Sequence, residues 1–413
     1  MSKIQEVIKQ LFAEGPIGIY FMAFLIPLNP KLLGIATVII IVEQLIRSPK
    51  IDKGYLKTQL SWRNPGIWLL FFYLMHVVGL INTVNMGFAN MDLGMKATMG
   101  IFPVFFLFYK TVVNWNFFVK SFITGAFISI ALNLLFSIEY YTEIGHFYAL
   151  TGEYLSHFMH RGYWAVYMVL AYFFLLKLAI SSRTRKSFTW NLIGASVMLI
   201  FVIISGAKIG IIMAFFVSAW GLFKLSNRFA SKKILLLFIL GLVVVISAVV
   251  YVTPGMDKRM SSMVTVLNKP IESYDKEEVE STSARVMVWD SSKELIRENF
   301  WFGVGTGDVK DELTQRNIEK GYSGVAEKRL NCHNQFLNSH IALGVFGSLF
   351  LFLSLAMNFL KLRPDTLRSW RLGIITILFI ALLPESMMET QAGIIPYAFL
   401  ISFLPSFQPK ESL

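Results

Sequence analysis

Cysteine is nearly absent from this sequence. Cys332 is its single thiol, which excludes any disulfide within the chain and any cysteine-rich metal site. Charge is scarce as well: 15% of the 413 residues are charged, against about 25% in soluble domains. A surface facing water on all sides cannot be built from so few. No HExxH, no Asp-rich cation motif and no nucleophile elbow occurs, so neither a metal nor a cofactor is expected. The chain shows no repeat of fixed period and no low-complexity stretch. Its first residues, MSKIQEVIKQLFAEG, lack the continuous apolar core and small-residue cleavage site of a signal peptide. The spacing of Ile4, Val7, Ile8, Leu11 and Phe12 instead predicts an amphipathic helix lying along the inner membrane surface.

Apolar residues are abundant. They make up 55% of the chain, including 37 Phe, 9 Trp and 18 Met, and the mean hydropathy is +0.58. A soluble fold has nowhere to bury so many apolar runs of spanning length. The expected fold is therefore an all-α integral membrane protein with about 12 transmembrane helices. These are predicted near 16–29, 31–46, 66–84, 97–109, 115–137, 161–181, 188–205, 207–224, 233–253, 335–360, 370–386 and 389–406.

The formal charge of +12 would suggest nucleic acid in a soluble protein. Here Lys and Arg concentrate in alternate short loops, as at Arg47 to Arg63, Lys177 to Lys186, Lys224 to Lys233 and Lys361 to Arg371. That pattern is the positive-inside rule, and it places both termini in the cytoplasm with no nucleic-acid partner expected. Three parts follow: helices one to nine over 1–253, an outward-facing, partly helical loop over 254–334, and helices ten to twelve over 335–413. The loop carries twelve basic and fourteen acidic residues, so it contributes nothing to the excess. Within it, SARVMVWDSSKELIREN reads as a helix with Ser283 as N-cap, and DVKDELTQRNIEKGY as a second.

Charged groups in or beside apolar helices are costly and mark candidate functional positions. Lys208, in SGAKIG where one helix turns into the next, reads equally as a snorkelling lysine and as an anion-binding cation. Arg285, Trp289, Lys293 and Arg297 recur every four residues on one helix face. Lys293 and Arg297 are expected to be solvated and paired with Asp290, Glu294 and Glu298. Arg285 opens the helix, where its charge opposes the dipole and an external anion would give it a reason. FGVGTGD at 302–308 resembles a phosphate-binding glycine loop, but such a loop belongs to a βαβ unit and this segment is expected outside, where no nucleotide pool exists, so a turn back to the membrane is expected. His333-Asn334 stands where the loop re-enters the membrane, with His340 seven residues on, and Gly344 and Gly347 offer a small-residue surface for helix packing. His160-Arg161 opens helix six on the same side of the membrane.

This constellation resembles the O-antigen ligase family over roughly residues 190–355. The family's histidine motif is His, then Asn, Ser or Gln, nine residues, Gly, two residues, and Gly, Thr or Tyr, and residues 333–347 match it in full. Its loop arginine and Gly-x-Gly turn correspond to Arg285, Trp289, Asn299 and Gly303-Val304-Gly305, and its Ser-Gly-x-Arg helix start to Ser205-Gly206-Ala207-Lys208. Two departures stand out. Lys208 replaces an arginine, keeping the charge but losing bidentate phosphate binding, and Phe300-Trp301 replaces an Asn-Pro turn.

The resemblance implies a metal-independent inverting glycosyltransferase of the inner membrane. Its donor would be a polyprenyl diphosphate-linked glycan, and its acceptor a hydroxyl of lipid A-core or another glycan, with membrane lipids around the carrier. Catalytic roles would fall to His333 and Arg285, and diphosphate or substrate binding to Lys208, Arg161, His160, Asn334 and Trp289. His333 would either deprotonate the acceptor or position it. A polymerase acting on lipid-linked repeat units shares these motifs. A polysaccharide or lipid transporter remains a reading from another class, although the paired repeats and midplane charges typical of transporters are not seen. A membrane sensor is disfavoured by the short inner loops.

Overall fold

The computed structural model describes residues 15–47, 51–229, 270–279, 282–360, 367–406 and 408–409. The expected N-terminal amphipathic helix, the span over 233–253 and the first part of the long loop lie outside the described residues. In chain order the described helices begin with α1 (Ile17–Leu25), α2 (Leu33–Arg47), α3 (Lys53–Gln59), α4 (Pro65–Val78), α5 (Met86–Lys96) and α6 (Thr98–Phe108). Next come α7 (Trp115–Ile144), α8 (Arg161–Ser181), α9 (Arg185–Ile204) and α10 (Lys208–Phe229). The long loop holds α11 (Thr282–Glu298), α12 (Val309–Glu319) and α13 (Ser323–Glu327), and α14 (Gln335–Ala356), α15 (Arg368–Ala381) and α16 (Gln391–Ser406) complete the order.

Many of these helices open on a side chain that accepts from their own first turn, as the orphan N–H groups of a helix start require. Asp52 caps α3, Asn64 caps α4 with Pro65 at its first position, Asn85 caps α5 and Asn114 caps α7. In a lipid setting such caps matter more, because no water is at hand to take over.

Seven helical stretches among the described residues are long and apolar enough to cross a membrane: Pro65–Asn82, Met86–Phe108, Trp115–Ile144, Arg161–Ser181, Arg185–Ile204, Lys208–Asn227 and Gln335–Phe359. The architecture is that of an all-helical, multi-pass membrane protein. Four expected spans come out shorter than the roughly 20 residues a crossing needs. They are α1 with 9 residues, α2 with 15, α15 with 14 and α16 with 16. The first pair is separated by Asn29-Pro30, where Asn29 caps a 3-10 turn and ends the α1 run. The fourth span, expected over 97–109, instead starts at Met86. Hydropathy alone broke the segment at Asp92 and Lys96, which pair with each other at 2.7 Å and are both buried.

The chain divides into two compact units, 1–47 with 112–257 and 409–413, and 48–111 with 258–408. In the first, α8 is the central helix, buried without a break from Gly162 to Lys177 and packed against α7, α9 and α10. Close approach is made possible by glycine. A Cβ on Gly210 would meet that of Ala165 at 2.6 Å, and one on Gly125 would meet the Phe24 carbonyl at 1.9 Å. The Glu43 carboxylate accepts from the N–H groups of Ile17 and Gly18 at 2.9 and 2.7 Å, so an acid from α2 caps α1.

In the second unit α4 packs between α14 and α6, and α16 lies against α6 through Phe102, Phe106, Phe399 and Phe403. The loop helices α11 to α13 enclose a small core of Met287, Val288, Leu295, Leu313 and Val325 that also takes in Ile341 of α14. Ser283 lies inside α11 rather than capping it, since the helix already includes Thr282. Among the described residues the acids of α11 form no close ion pair with Lys293 or Arg297, which are exposed, although the charge of Lys293 still acts on Asp290. Their partners come from α12 and its end: Lys320 binds Asp290 and Glu294, while Arg316 binds Glu294 and Glu298.

α14 is broken at Gly344, which has φ 66° and ψ −161°. A helical Val345 N–H would bond the Ile341 carbonyl, but here it donates to the Phe300 carbonyl at 2.9 Å. The released carbonyls of Ile341 and Ala342 accept from Val304 and Gly305 at 2.8 and 3.0 Å. The 302–308 glycine segment is thus the turn back to the membrane: the N–H groups of Val304 and Gly305 are spent on α14, and those of Gly303, Thr306 and Gly307 on Asn299, Gly79 and Thr83. Gly344 does not serve helix-to-helix packing as expected. It admits loop backbone, since a Cβ there would sit 2.1 Å from the Trp301 carbonyl oxygen.

Two outcomes follow. Gly344→Ala costs about 1–3 kcal/mol for a backbone conformation open essentially to glycine alone, plus the clash with Trp301, and thermal unfolding in detergent reads it as a lowered midpoint. The second concerns acid. Burial disfavours the Asp290 carboxylate, but the bonds from Lys320 and Tyr322 outweigh it and hold the group below the ordinary range. The bonds of Lys320 to Glu294 and of Arg316 to Glu298 likewise depress those carboxylates. Groups of depressed pKa lend stability above the ordinary carboxylate value of about 4, and that stability is lost as pH falls through the folded values. Amide exchange in α12 therefore accelerates below about pH 4 relative to exchange in α8.

Candidate active site

The first turn of α11, the stretch from Arg329 to Asn334 and the turn between α15 and α16 meet within the second unit. The backbone before α14 is bent sharply. Arg329 and His333 both have positive φ, 48° and 43°, a conformation that costs a residue with a Cβ about 1–3 kcal/mol. Local bonds hold the bend. The Trp289 indole N–H donates to the Cys332 carbonyl at 2.7 Å, and the His333 N–H donates to Asn331 Oδ1 at 2.9 Å. Asn334 then caps α14, its Oδ1 accepting from the Leu337 N–H at 3.1 Å. Trp289 and Asn334, expected to bind substrate, are thus engaged in fixing the backbone on either side of His333.

Glu385 joins the two central candidates. Its Oε1 accepts from Arg285 Nη2 at 2.7 Å, and its Oε2 lies 3.2 Å from His333 Nδ1. The side chains are 32%, 26% and 17% exposed for Arg285, His333 and Glu385, so the group is open to a ligand yet shielded enough for its charges to be felt. The carboxylate answers the unfavourable place of Arg285 at a positive helix end. A guanidinium has five N–H donors, and the Arg285 bond to Glu385 leaves the group's charge directed at the same place as the imidazole. With Nδ1 facing a carboxylate, the proton of a neutral His333 belongs on Nδ1, and Nε2 becomes the acceptor. A proton acceptor beside a cation is what transfer from an anionic leaving group requires.

The other candidates stand in the first unit. His160 caps α8, its Nδ1 accepting from the Gly162 N–H at 3.2 Å, and Arg161 lies 3.5 Å from Glu153. Lys208 is the first residue of α10 and half-buried, two residues after Gly206 at φ 62°. In the second unit His340 is drawn to Ser348 Oγ at 3.2 Å and to the Phe300 ring, beside the break in α14. Among the described residues no group of three or more His, Cys, Asp or Glu side chains is placed to hold a metal ion.

Glu385 is the residue that sequence reading passed over. It lies in a stretch without basic residues, a mark of topology rather than of chemistry. Its distance of 100 residues from Arg285 and 52 from His333 leaves no spacing signal to find.

Residues 193–352 match a family model described as O-Antigen ligase. The matched region contains Lys208, Arg285, Trp289, His333 and Asn334, and Glu385 lies beyond its end. No curated protein matches the chain.

Cys332 is fully buried beside Ser292, and burial pushes its thiol up to about 12. At neutral pH the folded protein therefore leaves Cys332 unmodified by a maleimide, whereas the denatured protein takes up one equivalent, as intact mass reads directly.

Proposed function

We propose that this chain, whose residues 193–352 match a family model described as O-Antigen ligase, transfers a glycan from a polyprenyl diphosphate carrier to an acceptor hydroxyl. The reaction takes place on the outer, periplasmic face of the inner membrane, and lipid A-core is the acceptor. The convergence of Arg285, Glu385 and His333 carries this reading. Outside the cytoplasm no nucleotide sugar is at hand, so an activated donor has to arrive tethered to lipid.

The chemistry is a displacement with inversion. The acceptor oxygen attacks the anomeric carbon while the bond from that carbon to the diphosphate oxygen breaks. The hydroxyl proton passes to His333 Nε2, and the polyprenyl diphosphate leaves with the bonding pair. Arg285, partly shielded from solvent, meets the charge that grows on the leaving group. Glu385 keeps the imidazole in the tautomer whose Nε2 accepts. No step needs a metal or cofactor. An arginine at the site and a body of apolar, spanning helices suit a ligand with a diphosphate head and an isoprenoid tail.

The test uses a strain lacking its own copy of the gene, complemented with His333→Ala, Arg285→Ala or Glu385→Gln. Each of the first two lowers transfer by about 100-fold or more, seen on gels as loss of polymer from its final acceptor and accumulation of long lipid-linked chains. Glu385→Gln keeps the shape, loses the charge and lies between these and wild type. Accumulation of single lipid-linked repeat units instead assigns polymerisation, and unchanged polysaccharide in both alanine variants removes the transferase reading.

A further inference from the structure

A second polar cluster lies in the same unit, deeper than the site and not used by the chemistry above. Lys96 of α5 is 3% exposed, and its Nζ donates to Asp92 Oδ2 at 2.7 Å and to Glu389 Oε2 at 3.1 Å. The other oxygen of Glu389 accepts from Gln335 Nε2 and Asn338 Nδ2, both at 2.9 Å. Gln335, 1% exposed, is fully used. Its Oε1 accepts from the Met388 N–H at 2.7 Å, and its backbone N–H donates to the Leu382 carbonyl at 2.9 Å. One residue, through its backbone N–H at one end and its side chain at the other, thus clasps both ends of the turn that carries Glu385, and Gln335 is itself two residues from His333.

Stability alone is a poor reason for this arrangement. Three charges are held in an apolar bundle, where a well-packed apolar set is often as stable or more so. The cluster is not even complete as a network, since Asp92 Oδ1 and both ring nitrogens of the buried His76 hold no hydrogen bond among the described residues. What the bonds do specify is register. They tie the first turn of α14 to the 382–389 turn, and both to α5. Those are the two elements whose relative placement sets the 3.2 Å separation of His333 Nδ1 and Glu385 Oε2.

We infer that Lys96, Glu389 and Gln335 are positioning residues that hold Glu385 against His333 and Arg285. This rests on the transferase reading of that site. Lys96 fixes the Glu389 carboxylate, Glu389 fixes Gln335 and Asn338, and Gln335 fixes the turn. Loosening any link lets Glu385 drift by a fraction of an ångström to an ångström, which is enough to cost a reaction about 100-fold while leaving binding of a large lipid-linked donor in place.

The experiment compares purified full-length Lys96→Met, Lys96→Arg and Gln335→Met with wild type in proteoliposomes, using the lipid-linked donor isolated from the host. Folding is followed by size exclusion and thermal midpoint. Folded Lys96→Met and Gln335→Met show kcat lowered about 100-fold, with the donor KM within about threefold of wild type, and Lys96→Arg recovers most of the loss by restoring the charge. Gln335→Met leaves the Lys96–Asp92–Glu389 pairs intact, so it carries the test where Lys96→Met does not fold. Wild-type kcat in either methionine variant overturns the inference, as does a change confined to KM. Loss of folding in all three also overturns it, because the cluster then serves stability alone. His333→Ala and Arg285→Ala run alongside. If they are inactive while the methionine variants are not, the positioning role falls and the transferase reading stands. If they retain full activity, both fall.

Discussion

The break in α14 is the constraint from which much of the second unit follows. A helix interrupted at Gly344 leaves the Ile341 and Ala342 carbonyls and the Val345 N–H without their helical partners, in surroundings with little water to supply others. The 300–305 turn supplies all three partners. To do so its backbone has to lie against α14, which explains why Gly303, Gly305 and Gly344 have no side chains: a Cβ on any of them would collide with backbone or with Thr83. The loop is pinned again where the Asp308 carboxylate takes the N–H groups of Val84 and Asn85, each at 2.7 Å. α11 and α12 are thereby fixed to the membrane-embedded helices at one end of the turn. At the other end the chain returns through the strained backbone at Arg329 and His333.

That docking decides what Arg285 and His333 can do. Neither is placed by its own element alone. Arg285 belongs to a helix held by the small core around Met287, Leu295 and Leu313, and His333 to a backbone bend held by Trp289 and Asn331. Glu385, from a third element, brings them to one point. Its carboxylate both relieves a cation at the wrong end of a helix dipole and orients an imidazole. The acid network between α11 and α12 has the more ordinary task of keeping the loop helices together. Asp290, Glu294 and Glu298 are occupied by Lys320 and Arg316, which leaves Lys293 and Arg297 on the outer face of α11.

Much of this was legible in the residues, and the gaps have physical causes. Apolar runs marked helix positions well wherever charge was absent, as for Arg161–Ser181, predicted to the residue. They failed at Met86–Phe108, because a buried Asp92–Lys96 pair satisfies itself and a hydropathy average counts only its cost. The shortness of α1 is legible in its brief apolar run before Asn29-Pro30. That of α15 is not, because apolar composition shows that a segment avoids water and says nothing of where its backbone turns. Gly344 was recognised as special, but the absence of a side chain looks the same whether a helix or a loop is to come close.

The sequence by itself determined the solvent, the helical class, the hydrophilic segment and the residue types that suit an anionic leaving group and a hydroxyl acceptor. Those depend on composition and short-range spacing, which a linear chain carries in full. Only the tertiary structure decided that Trp289 and Asn334 brace the backbone around His333. It also decided that Glu385 completes the group and that Lys96, Glu389 and Gln335 stand behind it. Contacts across 52 to 293 residues are set by the packing of helices against one another, and no local pattern records them.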